Sequence, residues 1–207
     1  MFLNVLDKKR LNALPLLKEF KNEFYLAGGT GLALQLGHRD SVDFDFFCEN
    51  DFDTSIVLKR TKNIFSGKEV RIIQEEENTL SVVIDGSIKI SFLGYEYKLI
   101  DKVIETEYLR IASIRDIACM KFSAITSRAT SKDYVDLYFI LKKFNLNDLL
   151  ADLREKMPEI DTNLALKSMT YFEDIEKERI KYRNGNDIKF EKIQEFLIKE
   201  AKKINNL

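Results

Sequence analysis

Asp43 and Asp45, in the segment VDFDFF, are the first residues in this chain whose type and spacing suggest chemistry. In an extended segment alternate side chains share a face. Val42, Phe44 and Phe46 then fall on one side and both carboxylates on the other. Carboxylates side by side repel, and each is costly to remove from water. A divalent cation relieves both problems. Oxygen ligands of this kind suit Mg²⁺, which takes one or two carboxylates and fills its remaining positions with substrate phosphates. Upstream, Gly28 and Gly29 follow the apolar run Phe24–Ala27, where a backbone can bend sharply or lie close to a ligand. Residues 24–47, FYLAGGTGLALQLGHRDSVDFDFF, therefore read as strand, glycine turn, short helix over Thr30–Leu36, and strand over Val42–Phe47.

A second group of ionisable residues, Lys121, Arg128, Asp133 and Asp136, lies in MKFSAITSRATSKDYVDLYFIL, residues 120–141. Ser113 with Asp116 resembles a capping box. It opens a helix over Ser113–Ser127, packed through Ile117, Met120, Ala124 and Ile125. Ser131 caps the next helix, about Lys132–Lys143. Arg128 follows Lys121 on one helix face, and Asp133 and Asp136 sit one turn apart. Each also has a purely structural reading. Lys121 and Arg128 fit a solvated face, Asp133 suits a helix start, and Asp136 is spaced to pair with Lys132.

The remaining elements must position these groups. Residues 7–22 are helical in pattern, with Pro15 as a kink or a new start. Asp53–Phe65 reads as a helix capped by Asp53 or Thr54. Lys68–Gln74, Thr79–Ile84 and Ser87–Leu93 read as strands, with Asp85-Gly86 as a hairpin turn, and Tyr95–Val103 finishes the sheet region. Helices over Leu146–Lys156, Pro158–Lys181 and Ile188–Lys203 follow, the last after a break at Asn184-Gly185-Asn186. The expected fold is α+β: a small mixed sheet, then a helical C-terminal half. The division falls into a core over 1–110 and a helical domain over 111–207 that completes the active-site cleft.

Composition narrows the classes. The chain has 207 residues, 45% hydrophobic and 32% charged, enough for a core of ordinary globular type. No apolar run is long enough to span a bilayer, and the start lacks a signal-peptide pattern. Two cysteines, Cys48 and Cys119, suggest reduced thiols in a cytoplasmic protein. The lone histidine, His38, rules out a histidine-rich zinc cluster and reads as a turn or rim residue. A Ser-His-Asp triad built on it has no elbow motif to support it. Arg39 beside it reads as a candidate contact for phosphate or RNA. A net charge of −1 does not announce a nucleic-acid binder, so any such surface is a local patch.

The segments AGGTGLALQLGHRDSVDFDFF and MKFSAITSRATSKDYVDLYFIL together resemble the AbiEii/AbiGii family of nucleotidyltransferase toxins. The spacing of glycine turn to Asp-x-Asp is that of the polymerase-β-like nucleotidyltransferase superfamily, and the likeness spans roughly residues 20–145. The resemblance implies attack on the α-phosphorus of an NTP, with transfer of the nucleotide to an RNA acceptor such as the 3′ end of tRNA. It implies Mg²⁺ (or Mn²⁺) on Asp43 and Asp45, a cognate antitoxin, and no membrane. Asp43, Asp45, Lys121 and Asp136 become the catalytic candidates, and Gly28, Gly29, Thr30, Lys121, Arg128 and Asp133 the nucleotide-binding ones. The residue types suit this. A glycine turn at a helix start offers N–H groups and the Thr30 hydroxyl to phosphate, and Lys121 is a point charge for it.

One departure stands out. Many members of that superfamily carry a third metal-binding carboxylate on a later strand, and here Ser91 occupies that place in SIKISFLGY. Transfer to a small molecule or protein, and nucleotide binding without turnover, remain as competing readings. Lys142, Lys143, Lys177, Arg179, Lys181 and Arg183 are candidate contacts for a tRNA backbone. They read equally as solvated helix faces.

Overall fold

The computed structural model describes residues 1–205. Helix α1 (Lys8–Leu17) is capped by the Asp7 carboxylate, which accepts from the Arg10 N–H; it runs through Pro15 and tightens into a short 3₁₀ turn over Lys18–Phe20. Strand β1 (Tyr25–Leu26) leads directly into α2 (Gly28–Leu36), and the chain returns as β2 (Phe44–Cys48). Asp53 caps α3 (Thr54–Ile64) by accepting two N–H bonds. Strands β3 (Val70–Glu76), β4 (Thr79–Ile84) and β5 (Ile88–Gly94) form an antiparallel meander. Its Asp85-Gly86 turn has positive φ at both positions, the conformation that favours this residue pair.

Two short strands, β6 (Ile104–Glu105) and β7 (Arg110–Ile111), complete a seven-stranded sheet of order β3-β4-β5-β2-β1-β7-β6. The β2–β5 and β1–β7 pairs are parallel and the others antiparallel, so the sheet is mixed. Helices α4 (Ile114–Ser127), α5 (Ser131–Leu141), α6 (Leu146–Lys156), α7 (Thr162–Thr170) and α8 (Phe190–Asn205) follow.

One sheet face is apolar across its central strands β4, β5, β2 and β1. Phe44, Phe46, Ile90 and Phe92 pack there against Leu17, Phe20, Val57 and Phe65. Phe92 lies 4.6 Å from Phe20 and 5.6 Å from Phe46, ring centre to ring centre. Such pairs contribute about 0.5–1.5 kcal/mol each beyond buried area. The other face divides. Tyr25 and Phe47 lie under the helical half, whereas the row opposite Asp45 runs through Ser91, Ser81 and Gln74.

Several expectations are corrected here. Strand β2 begins at Phe44, so Asp43 stands at its entrance rather than within it, and Val42 is exposed. Residues 95–103 form no strand. They are fastened to the helices instead: the buried Asp116 carboxylate accepts from the Ile100 N–H, the Ser113 hydroxyl and the Lys156 ammonium. The helix expected over 158–181 is only α7, because the chain leaves it at Tyr171 as an extended strap with bridges Thr130↔Glu176 and Arg39↔Tyr182.

Candidate active site

The glycine turn and the aspartates meet because β1 and β2 are antiparallel neighbours, so the end of one lies beside the start of the other. Gly28 has φ +60°, which a side chain disfavours, and a Cβ there would lie 3.1 Å from Asp45 Oδ2. Glycine thus lets the start of α2 press against the Asp45 carboxylate. The first N–H groups of α2 have no acceptor within the helix, and Ala27 provides no side-chain cap. They carry partial positive charge and favour an anion.

Asp43 and Asp45 form no ion pair among the described residues, although Lys89 and Lys121 both act electrostatically on Asp45. Burial, followed by the Asp43 charge, pushes the Asp45 carboxyl above the usual carboxylate range, against a hydrogen bond from Ser91 and the two lysines. The approach to this pair is held from several sides. The buried Thr30 hydroxyl donates to the Asp43 carbonyl and lies 2.8 Å from the Ser41 hydroxyl. Arg10 donates to the Val42 carbonyl and, at 2.7 Å, to that of Ser87. The Thr30 hydroxyl expected on a phosphate is therefore engaged with the protein, which leaves backbone N–H groups for that role.

The second group of residues behaves differently. Asp136 is fully buried. Arg39 grips it with Nε and Nη2 at 2.7 Å each, His38 Nε2 lies 2.8 Å away, and Lys121 Nζ lies 2.7 Å away. The same Lys121 ammonium is 2.7 Å from Asp133, which also accepts from the Thr130 hydroxyl at 3.0 Å. Burial would raise the Asp136 carboxyl, but the Arg39 and Lys121 charges and the bonds from His38 and Arg39 hold it well below its ordinary value. Burial lowers His38 below its usual pKa. The ring is then neutral, and facing an acceptor-only carboxylate it donates from Nε2. Its buried Nδ1 has no hydrogen-bond partner among the described residues. Arg39, Lys121, Asp133 and Asp136 make a cluster of zero net charge.

Several site expectations change accordingly. His38 is 0% exposed and belongs to the core, and Arg39 is saturated by Asp136. Asp136 is not paired with Lys132, which bonds Glu178 instead. Lys121 is 7% exposed rather than on a solvated face. Arg128 lies past the end of α4 in extended conformation, exposed and off the Lys121 face. Ser91, singled out in the sequence, does lie opposite Asp45, whereas sequence reasoning missed Lys89 as a neighbour, although β5 alternation places it on the Asp45 face. A cavity of about 390 Å³ lies at the opposite ends of β1 and β2, lined by Tyr25, Glu49, Asp51, Leu99 and Arg110 among others, away from these carboxylates.

Residues 15–200 match the family model described as nucleotidyl transferase AbiEii toxin, type IV toxin–antitoxin system. An uncharacterised protein of Aquifex aeolicus is 37% identical over 189 residues, covering 87% of each chain. Among solved structures, the fold is similar to MenT4, a nucleotidyltransferase toxin of Mycobacterium tuberculosis, with TM-score 0.63, 16% identity, and coverage of 95% of this chain and 82% of that one. JHP933 from Helicobacter pylori matches with TM-score 0.59 and 22% identity, over 97% of this chain and 94% of that one. At these identities the structural likeness shows the fold.

Proposed function

Because the chain belongs to the AbiEii nucleotidyltransferase toxin family, we propose that it transfers a nucleoside monophosphate from an NTP to an RNA acceptor, the 3′ end of tRNA, with Mg²⁺ on Asp43 and Asp45. The observation that carries this is the unpaired carboxylate couple set against the uncapped start of α2. The couple fits a hard divalent cation. Two oxygen donors lie together and repel, Ser91 stands opposite Asp45 in place of a third carboxylate, and the described residues contain no cluster of three or more metal-type side chains. Asp43 and Asp45 would hold such a cation, with substrate oxygens supplying its other ligands, a donor set Mg²⁺ accepts.

A bound cation would neutralise the charge that develops on the phosphates as the acceptor hydroxyl, losing its proton, attacks the α-phosphorus and the bond to the β-phosphate breaks, releasing pyrophosphate. The chain's own residues do the rest. N–H groups at the start of α2 receive phosphate oxygens, and Gly28 allows the approach. The Thr30 hydroxyl and Arg10 fix the entrance of β2, so that Asp43 and Asp45 are held before substrate arrives. Lys121, held by Asp133 and Asp136, adds positive charge that acts on Asp45. Asp136 acts as a positioning residue. It holds Lys121, and through His38 and Arg39 it fixes the loop that leads into Asp43. Blocking tRNA ends would stop translation in the cytoplasm, and a cognate antitoxin would restrain it.

Incubation with each labelled NTP, with and without total tRNA and Mg²⁺, tests the proposal. Label on RNA that depends on Mg²⁺ and on Asp45 is the expected result. Label on a small molecule or protein contradicts the RNA acceptor, and NTP binding without transfer contradicts catalysis.

A further inference from the structure

We infer that the strap over residues 176–183 is a track for the phosphate backbone of the acceptor strand, an inference that rests on the nucleic-acid acceptor proposed above. The segment EKERIKYR alternates strictly. Lys177, Arg179, Lys181 and Arg183 occupy one set of positions, and Glu176, Glu178, Ile180 and Tyr182 the other. Alternation matters only if the chain is extended, and it is. The Glu176 N–H donates to the Ala129 carbonyl and its carbonyl accepts from Ser131. Six residues on, Asp40 and Arg183 donate N–H bonds to the carbonyls of Lys181 and His38.

From residue 177 on, beyond the exposed Glu176, the two sides of the strap have different environments. Glu178 accepts from Lys132 at 2.6 Å, while Ile180 and Tyr182 pack onto the helical core. Lys177, Arg179 and Lys181 are exposed and Arg183 is half-buried. With a rise of about 3.3 Å per residue, successive cations stand about 6.6 Å apart, a spacing comparable to that of phosphates along an extended nucleic-acid strand. Their charge is only partly answered. Lys181 and Arg183 share the single carboxylate of Asp40, and Lys177 and Arg179 have no acidic partner among the described residues. Four cations in a row repel one another, and a polyanion laid along them relieves that repulsion.

The strap's place gives the row its direction. One end is bonded to residues 129–131, at the start of the helix carrying Asp133 and Asp136; the other is bonded to residues 38 and 40, just before Asp43. A strand bound along the cations is thereby led toward the carboxylate pair. Lys142 and Lys143, by contrast, lie at the far end of α5, and the Lys142 ammonium sits over the Phe196 ring at 5.8 Å. They share no such extended row.

The test measures binding of total tRNA over a series of salt concentrations for wild type, for Lys177→Ala with Arg179→Ala, and for Lys142→Ala with Lys143→Ala. Each protein's melting temperature and NTP binding are followed in parallel. Removing two phosphate contacts is expected to weaken binding roughly tenfold near 0.15 M salt and to lower the slope of log K against log salt by about 1.4–1.8. Melting and NTP binding should be unchanged in that variant, and the Lys142/Lys143 variant should bind tRNA like wild type. If wild type labels tRNA and the Lys177/Arg179 variant binds and labels it equally well, the track is overturned while the acceptor reading stands. Equal weakening by both double variants also overturns the track, since it shows diffuse attraction. A wild-type protein that neither binds nor labels RNA overturns the acceptor reading and the track together.

Discussion

Asp43 and Asp45, and the neighbouring Asp133 and Asp136, are the same residue type in pairs of similar spacing, yet their surroundings are opposite. The second pair is answered at close range by Arg39 and Lys121, and its charges sum to zero. The first pair has no ion-pair partner among the described residues, and burial together with mutual repulsion raises Asp45. A balanced cluster is finished by folding. An unbalanced one beside a helix start is completed by something that binds.

The largest effect expected from breaking this contrast is at Asp45. Asp45→Asn should lower transfer by at least about 10²-fold, since a ligated cation contributes several kcal/mol to the transition state. A labelled-NTP transfer assay measures it, and a wild-type rate would remove the contrast. Asp136→Asn acts on stability instead. It leaves Arg39 and Lys121 buried with too little negative charge, which costs about 3–5 kcal/mol, readable by denaturant unfolding. The Lys121→Ala variant should show a loss of similar size, because Asp133 and Asp136 lose their shared ammonium.

Gly28→Ala tests the close approach between the two elements. Positive φ costs a side chain about 1–2 kcal/mol, and the new methyl would crowd Asp45 Oδ2. Both transfer and melting temperature should fall, whereas Arg128→Ala should stay within about 0.5 kcal/mol of wild type.

The smallest effect is a pH dependence of opposite sign in the two regions. His38 is lowered on folding, so the unfolded chain takes up its proton first as pH falls below 6.5. Its contribution to stability is full above pH 6.5 and is lost on acidification toward the lowered value. Asp45 is raised on folding, so its effect runs the other way: stability is favoured below pH 3.8 and is lost as pH rises through the raised value. Unfolding curves across pH for His38→Asn and Asp45→Asn should therefore diverge from wild type in different windows.

The Asp-x-Asp strand and the glycine turn were legible in the sequence because both rest on local rules, alternation in a strand and backbone freedom at glycine. The burial of His38 and Arg39 was not. It depends on the strap at 176–183, whose residues read as helix until the bridges to Arg39 and Thr130 reveal an extended chain. Once that segment is misread, nothing local covers His38-Arg39-Asp40, and the loop looks solvated. Lys121 fails in the same way. Its neutralising partners lie on the next helix, and the turn angle between α4 and α5 that brings them within 2.7 Å has no signature in sequence spacing. The strand is expected from Val42, two residues before it begins, which puts Asp43 inside it, because alternation does not mark where pairing begins.

Thermal melting of wild type, Asp45→Asn and Asp136→Asn, each with and without Mg²⁺ and NTP at neutral pH, tests the central contrast most directly. The account predicts that Asp45→Asn melts at or above wild type without ligand and loses the ligand-induced rise, which for wild type is about 2.7 kcal/mol at a hundredfold excess over Kd. It predicts that Asp136→Asn melts far lower yet still rises with ligand. An Asp45→Asn protein that melts well below wild type in the absence of metal, or that keeps the full ligand-induced rise, would contradict it.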